Sequence, residues 1–474
     1  MNNLSNNIKK VMIVFLLLFV ALITYINYIV LFKSEAAIES VYNKRNAAEK
    51  SKVLRGNILD RDNNPIVQGE KTGEFTQVRK YVEGIAFSHV VGYYDEVYGM
   101  SGIEKKFDKE LSGKAVNGIK DFLGFFKFKK EEEKVGNNIV TTLNSNLQKK
   151  AYELLGNKRG SIVAIDPKSG EVLAMISKPG FNPETLKEDW EKLSKDINTP
   201  FLNRAVSGLY PPGSTFKAVT AISALENIQG VQNRTFKDEG KISFNSKEYL
   251  ENYKGNAMGN IGLEEAFYRS SNVVFGSLAM ELGNEKLKST AEKFLFNKDI
   301  ISRSLTIDNS KFPTYSKEEV GNVAQSGIGQ SGVLASPIEM ALVASTIANN
   351  GVMMEPNIVR QIVDSNGSVV KQFEPKELGT ITTADNAQLL KQYMRSVVTK
   401  GTGRDANING IQISGKTGTA DQDTGKKIPH SWFIGFAPYD KPEIAFAIIV
   451  EEGGNDSYNA TDIGKDLMKA YYKK

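Results

Sequence analysis

The longest apolar run in the chain, residues 11–32, is broken only mildly by Tyr25, Asn27 and Tyr28. A run of this length predicts a helix able to cross a bilayer, and it exceeds the core of a usual signal peptide. Lys9 and Lys10 precede it, with no acidic residue before them. The positive-inside tendency then puts residues 1–10 in the cytoplasm and everything after residue 32 outside. Ser34-Glu35-Ala36 is a loose match to a cleavage site. The length of the apolar run favours an uncleaved anchor over a released form.

Beyond the anchor the periodicity changes. Residues 33–52 are charged and alanine-containing and predict a helix leading off the membrane. Residues 139–143 read as a strand and 146–155 as a helix. Residues 161–166 and 171–177 predict two apolar strands joined by the turn Pro167-Lys168-Ser169-Gly170. Residues 432–437 and 444–450 are apolar enough to lie in the middle of a sheet packed on both faces. Helices are predicted over 215–225, 263–269 and 462–472. Residues 122–134 mix aromatic and basic side chains with Glu131-Glu132-Glu133 and predict a hairpin with a solvated, charged tip. The pattern as a whole predicts an α/β (α+β) fold. A mainly antiparallel, hairpin-connected sheet is flanked by helices and accompanied by a helical lobe.

Composition narrows the chemistry. The 474 residues suffice for two or three domains. The net charge of +5 comes from interspersed acids and bases, which does not suggest nucleic-acid binding. There are two histidines, His89 and His430, and no cysteine. A histidine- or cysteine-rich metal site is therefore not expected, and no cofactor is implied. Neither histidine sits in a nucleophile-elbow context, so a Ser-His-Asp triad is disfavoured.

Three short runs supply chemistry of another kind: Ser214-Thr215-Phe216-Lys217, Ser270-Ser271-Asn272 and Lys416-Thr417-Gly418. Each pattern also occurs elsewhere, as Ser368-Val369-Val370-Lys371, Ser243-Phe244-Asn245 and Lys71-Thr72-Gly73. Context separates them. Ser368 follows the turn run Asp364-Ser365-Asn366-Gly367, so its serine and lysine fall on a strand and point to opposite sides. Ser214 follows Pro211-Pro212-Gly213 and opens a helix, where i and i+3 share a face. Lys217 can reach Ser214 there. A serine hydroxyl needs a base to become nucleophilic, and Lys217 serves if burial and a nearby Lys416 lower its pKa. Ser270 reads as a relay that carries the proton to the leaving amine, and Asn272 as a holder of Lys217 and of a substrate amide. Taken alone, Ser270-Ser271-Asn272 would read as an ordinary helix cap. Gly418 leaves space for a substrate backbone beside the strand.

These motifs, in this order, resemble those of the penicillin-binding proteins and serine β-lactamases. Arg55-Gly56-Asn57-Ile58-Leu59-Asp60-Arg61, His89-Val90-Val91-Gly92-Tyr93, Gly99-Met100-Ser101-Gly102-Ile103-Glu104 and Gly327-Ile328-Gly329-Gln330 extend the resemblance to class B penicillin-binding proteins, in particular the short, penicillin-binding protein A-like members. The resemblance implies an oxyanion hole made by the backbone N–H groups of Ser214 and Thr419. It also implies that the Thr417 and Thr419 hydroxyls hold the carboxylate of the donor peptide or of a β-lactam. It implies four parts: a cytoplasmic tail (1–10), an anchor (11–32), a non-catalytic pedestal (33–137) and a transpeptidase domain (138–474). His89 is then structural. The implied function is D,D-transpeptidation of peptidoglycan stem peptides, blocked by β-lactam antibiotics. The implied partners are the bacterial membrane, a SEDS-type membrane glycosyltransferase and other wall-synthesis proteins.

The alternatives are a β-lactamase or β-lactam sensor, a D,D-carboxypeptidase, and a mainly scaffolding role. No E-x-x-L-N run supplies a deacylating glutamate, and the gap of about 140 residues from Asn272 to Lys416 is wide for a lactamase. A carboxypeptidase would use the same residues with water as acceptor.

Overall fold

The computed structural model describes residues 2–28, 53–73, 76–113, 135–244, 248–421 and 428–473. The helix expected over 33–52 and the hairpin expected over 122–134 lie outside these residues.

The described part of the apolar run, residues 11–28, lies in the helix Asn2–Tyr28. It begins earlier than the hydropathy suggests because no proline or glycine stops it in the polar stretch before residue 11. Thr24 Oγ1 and Asn27 Nδ2 donate to the carbonyls of Val20 and Ile23, at 2.8 and 2.9 Å. This is how polar side chains are accommodated within an apolar helix. The segment Asn6–Tyr28, with mean hydropathy 2.4, is about 35 Å long at the usual helical rise. That exceeds a hydrocarbon core of about 30 Å.

The main sheet has five antiparallel strands in the order Ser414–Ala420, His430–Ala437, Ile444–Val450, Gly160–Ile165 and Val172–Lys178. Its four inner and distal strands are buried along their whole length. Both faces are covered. Ala445, Ala447 and Ile449 enter one core with the helix Pro337–Ala348. Ile444, Phe446, Ile448 and Val450 enter a second core with the helices Ser145–Leu154 and Ala460–Tyr471. Burial on both faces removes the polar alternation of a half-exposed strand, which is why these segments read as continuous apolar runs. The helical lobe packs Lys217–Asn227 against Asn272–Lys293, which in turn packs on Val320–Ser326.

A second sheet has six strands in the order Val369–Gln372, Val359–Val363, Asn138–Thr141, Ile58–Leu59, Pro65–Gly73 and Thr76–Lys80. Ile58–Leu59 pairs parallel with Asn138–Thr141; the other pairings are antiparallel. This sheet joins strands from before and after Asn138 into one hydrogen-bonded unit. The S-x-x-K lookalike lies here, with Lys371 on the exposed edge strand Val369–Gln372. The Lys71 lookalike lies on the opposite hairpin.

Candidate active site

The Ser214 turn is built from the outside inward. Tyr210 and Ala335 exchange backbone hydrogen bonds at 3.1 and 2.8 Å. The Pro211 carbonyl accepts from Trp432 Nε1 at 3.0 Å, and the Pro212 carbonyl from Thr215 Oγ1 at 2.7 Å. Gly213 has φ 53°, and its N–H donates to the Gly329 carbonyl at 3.0 Å. A β-carbon at Gly213 would lie 2.5 Å from the Thr419 carbonyl oxygen, so the turn is pressed against the Lys416 strand. Thr220 Oγ1 adds a bond to the Gly327 carbonyl at 2.7 Å. The Gly327–Gln330 segment thus buttresses the turn. The chain runs through a 3₁₀ turn, Gly213–Phe216, into the helix Lys217–Asn227. Ser214 is half-buried at its start, while Lys217 is wholly buried.

Lys217 and Lys416 meet at Ser270. Lys217 Nζ donates to the Ser270 carbonyl at 2.8 Å, to Asn272 Oδ1 at 2.7 Å and to Ser270 Oγ at 3.2 Å. Lys416 Nζ donates to the same Ser270 Oγ at 2.9 Å and to the Thr417 carbonyl at 3.0 Å. Phe275 and Phe267 wall the two amines, each ring centroid 5.7 Å from its lysine nitrogen. Burial and then the Lys416 cation push the Lys217 amine well below the ordinary lysine range, against the opposing pull of Asp238. Burial alone lowers Lys416 to about 7. The Lys416 charge disfavours a second charge on Lys217; once neutral, Lys217 keeps two N–H groups for the Ser270 carbonyl and Asn272 Oδ1 and meets Ser270 Oγ with its lone pair. A hydroxyl bonded to both amines can accept a proton from one side and release it on another.

The strand Ser414–Ala420 carries Thr417, partly exposed, and Thr419, exposed. Thr417 Oγ1 lies 2.6 Å from Thr402 Oγ1. Gly418 differs from expectation. A β-carbon there would lie 2.9 Å from Thr215 Cγ2 and 3.1 Å from the Pro212 carbonyl oxygen. The missing side chain makes room for the Ser214 turn. The two histidines lie elsewhere in the hydrogen-bond pattern. His89 bonds the Pro200 carbonyl through Nε2 at 2.8 Å, and its burial lowers it to about 4. His430 Nδ1 accepts from the Glu452 N–H at 3.1 Å.

Sequence reasoning did not find Asp238, Asn252 or Thr402. Asp238 Oδ2 accepts from Ser271 Oγ at 2.5 Å, and Asn252 Oδ1 from the Asn272 N–H at 2.8 Å. Asp238-Glu239-Gly240 reads locally as a turn, and the Gly240 N–H does bond Asp238 Oδ1 at 2.9 Å. The reach to Ser271 leaves no local mark.

Residues 160–469 match the family described as penicillin binding protein transpeptidase domain, and residues 55–139 match the penicillin binding protein A dimerisation domain. The peptidoglycan D,D-transpeptidase PbpA of Mycolicibacterium smegmatis is 30% identical, over 97% of this chain and 96% of its own. Penicillin-binding protein A from Mycobacterium tuberculosis, solved as an imipenem acyl-enzyme complex, superposes with a TM-score of 0.81 at 28% identity, covering 90% of this chain and 100% of that one. The D,D-transpeptidase domain of a peptidoglycan glycosyltransferase from Eggerthella lenta gives a TM-score of 0.78 at 31% identity, covering 89% and 99%.

Proposed function

Because the chain belongs to the penicillin-binding protein transpeptidase family, we propose that it is a peptidoglycan D,D-transpeptidase, acting through a serine acyl-enzyme and blocked covalently by β-lactams. The observation that carries this reading is the convergence of Lys217 Nζ and Lys416 Nζ on Ser270 Oγ, next to the turn that presents Ser214.

Neutral Lys217 takes the proton of Ser214 Oγ as that oxygen bonds to the carbonyl carbon of the penultimate D-alanine. The N-terminus of the Lys217 helix favours the negative charge that develops there. The backbone N–H groups of Ser214 and Thr419 receive the oxyanion, a role in which one donor contributes on the order of 3 kcal/mol. Asn272 orients Lys217 and a substrate amide. Ser270, polarised by Lys416, passes the proton from Lys217 to the leaving nitrogen, and the C–N bond breaks to release D-alanine. The amine of a neighbouring stem then attacks the ester, gives up its proton along the same relay and returns Ser214 to its hydroxyl form. Thr417 and Thr419 hold the terminal carboxylate beside the strand. A β-lactam enters the same path, but its leaving nitrogen stays tethered, so the acyl-enzyme persists.

Residues 1–10 lie in the cytoplasm and the catalytic domain lies outside, with residues 33–137 as a pedestal and 138–474 as the transpeptidase domain. A SEDS-type glycosyltransferase is the membrane partner. Labelling of single introduced cysteines on either side of the anchor, and co-purification in detergent, test these two points.

The central test is intact-mass measurement after incubation with penicillin, followed by peptide mapping. One adduct is expected, on Ser214, and Ser214→Ala should lose it while remaining folded, since a half-exposed hydroxyl contributes little to stability. An adduct retained by that variant, or mapped to Ser368, would falsify the assignment.

A further inference from the structure

The Ser270-Ser271-Asn272 run is held by two buried side chains to which the proposed reaction gives no task. We infer that Asp238 and Asn252 are positioning residues that fix Ser270 and Asn272 for proton transfer. The inference rests on the transpeptidase reading above.

Asp238 ends the strand Thr235–Asp238 and Asn252 follows the strand Tyr249–Glu251; they are 1% and 2% exposed. The Asp238 carboxylate accepts from the Gly240 N–H at 2.9 Å, from Asn252 Nδ2 at 2.8 and 2.9 Å, and from Ser271 Oγ at 2.5 Å. Asn252 Oδ1 then accepts from the N–H groups of Asn272 and Val273 at 2.8 and 3.1 Å, and Ser271 Oγ accepts from that of Val274 at 3.0 Å. These are the first three N–H groups of the helix Asn272–Lys293, which have no partner inside the helix itself. Two side chains at strand ends and one cap therefore seat the start of this helix on a single buried carboxylate.

The residue just before that seat is under strain. Ser270 has φ 61°, in the left-handed region. A side chain other than glycine is held there only where its surroundings over-determine the backbone. Its conformation places both its carbonyl and its hydroxyl on Lys217. Relaxation to negative φ would carry both groups off the two amines. The Asp238–Asn252 pair, with the Ser271 cap, holds the far side of that strained peptide.

Asp238 also acts by charge. Two charged groups act on the Lys217 amine, Lys416 from the strand Ser414–Ala420 and Asp238 from the end of the strand Thr235–Asp238. Burial and Lys416 depress the amine and Asp238 opposes them. Neutralising position 238 should therefore move the acid limb of the acylation rate to lower pH. A residue that only supported the fold would leave that limb in place.

The test uses the full-length chain in detergent and a fluorescent penicillin, with rate constants measured across pH. Asp238→Asn should lose on the order of 100-fold in rate, the cost of misplaced reacting groups, keep its melting transition and show the shifted acid limb. Adding Asn252→Asp to Asp238→Asn exchanges the two groups and should recover rate. Asp238→Asn reacting like the parent, with an unmoved limb, overturns the inference. A rate loss with neither shift nor recovery marks ordinary packing damage and overturns it as well, as does loss of the melting transition in every variant. A parent chain that penicillin does not acylate sinks the transpeptidase reading itself, whereas a reactive parent with equally reactive variants sinks only the positioning role.

Discussion

Two clusters of buried charge, one on each side of Asn138, take opposite courses. Before Asn138, Arg55 Nε and Arg79 Nε share the carboxylate of Glu104, each at 2.7 Å, and Arg55 Nη1 reaches Asp108 at 2.6 Å. Glu104 is completely buried. Burial alone would raise it, but Arg79 and Arg55 hold its carboxyl below the ordinary range. After Asn138, Lys217 and Lys416 are equally buried, yet among the described residues their hydrogen-bond partners are hydroxyl, carbonyl and amide oxygens. Their amines are pushed down instead. Depth of burial is the same in both places; what differs is whether an opposite charge is in contact. A compensated charge is fixed and inert, and an uncompensated amine is available as a base. The arginine fork suits the first role, because a guanidinium stays protonated and grips carboxylates at two points.

The comparison breaks most visibly at Lys217. Lys217→Ala should lose acylation by about 10²–10⁴-fold, the usual reach of a general base. Lys217→Arg keeps a long side chain but stays protonated and supplies no base, so it should not recover the rate. Stopped-flow acylation with a chromogenic β-lactam measures both. Near-parental reaction of the arginine variant would mean that another group removes the Ser214 proton.

On the other side, Glu104→Ala leaves Arg55 and Arg79 without their shared carboxylate. The expected loss is about 3–5 kcal/mol of stability, read as a fall in the urea midpoint. Acylation by the fraction that remains folded should be unchanged. If reactivity collapses while the midpoint holds, the first cluster reaches the site and the two clusters are not independent.

What the sequence reveals follows the same line between local and distant. The start of a helical segment at Ser214 and Lys217 is legible because Pro211-Pro212-Gly213 marks its beginning, and the chain does run there from a 3₁₀ turn into the helix Lys217–Asn227. The strands 432–437 and 444–450 are legible because burial on two faces leaves an apolar run. The parallel pairing of Ile58 with Ile139 is not, since nothing local marks which distant strand an edge will choose. The long apolar helix was legible in hydropathy, though it starts at Asn2, where only the absence of a breaker decides. Gly418 was legible as a close-contact position but not as to what it contacts; packing against Thr215 depends on a turn two hundred residues away. Asp238 and Asn252 carry no motif, and their reach to Ser271 and Asn272 exists only once the strands Thr235–Asp238 and Tyr249–Glu251 have folded beside the helix.

The smallest effect separates the clusters by pH. Glu104 has a folded pKa below its unfolded value. Its contribution is present above the ordinary glutamate value of about 4.3 and is lost as pH falls through the folded value. Lys416 is also depressed, to about 7, but for a lysine this means that the unfolded chain binds a proton the folded chain releases. From Lys416 alone, stability should then rise with pH from about 7 to the ordinary lysine value of about 10.4, by at most about 1.4 kcal/mol per pH unit, and the depressed Lys217 adds to the same alkaline rise. Below that window the penalty for burying the amine is constant. Glu104→Gln should flatten only the acid side of the stability profile, and Lys416→Met should lessen the alkaline rise, leaving the share that Lys217 contributes. Urea midpoints of the parent and both variants, followed from acid to alkaline pH, measure this. A Lys416→Met profile that keeps the parental slope above pH 7 would mean that Lys416 does not titrate there, and the contrast between compensated and uncompensated charge would then rest on Lys217 alone.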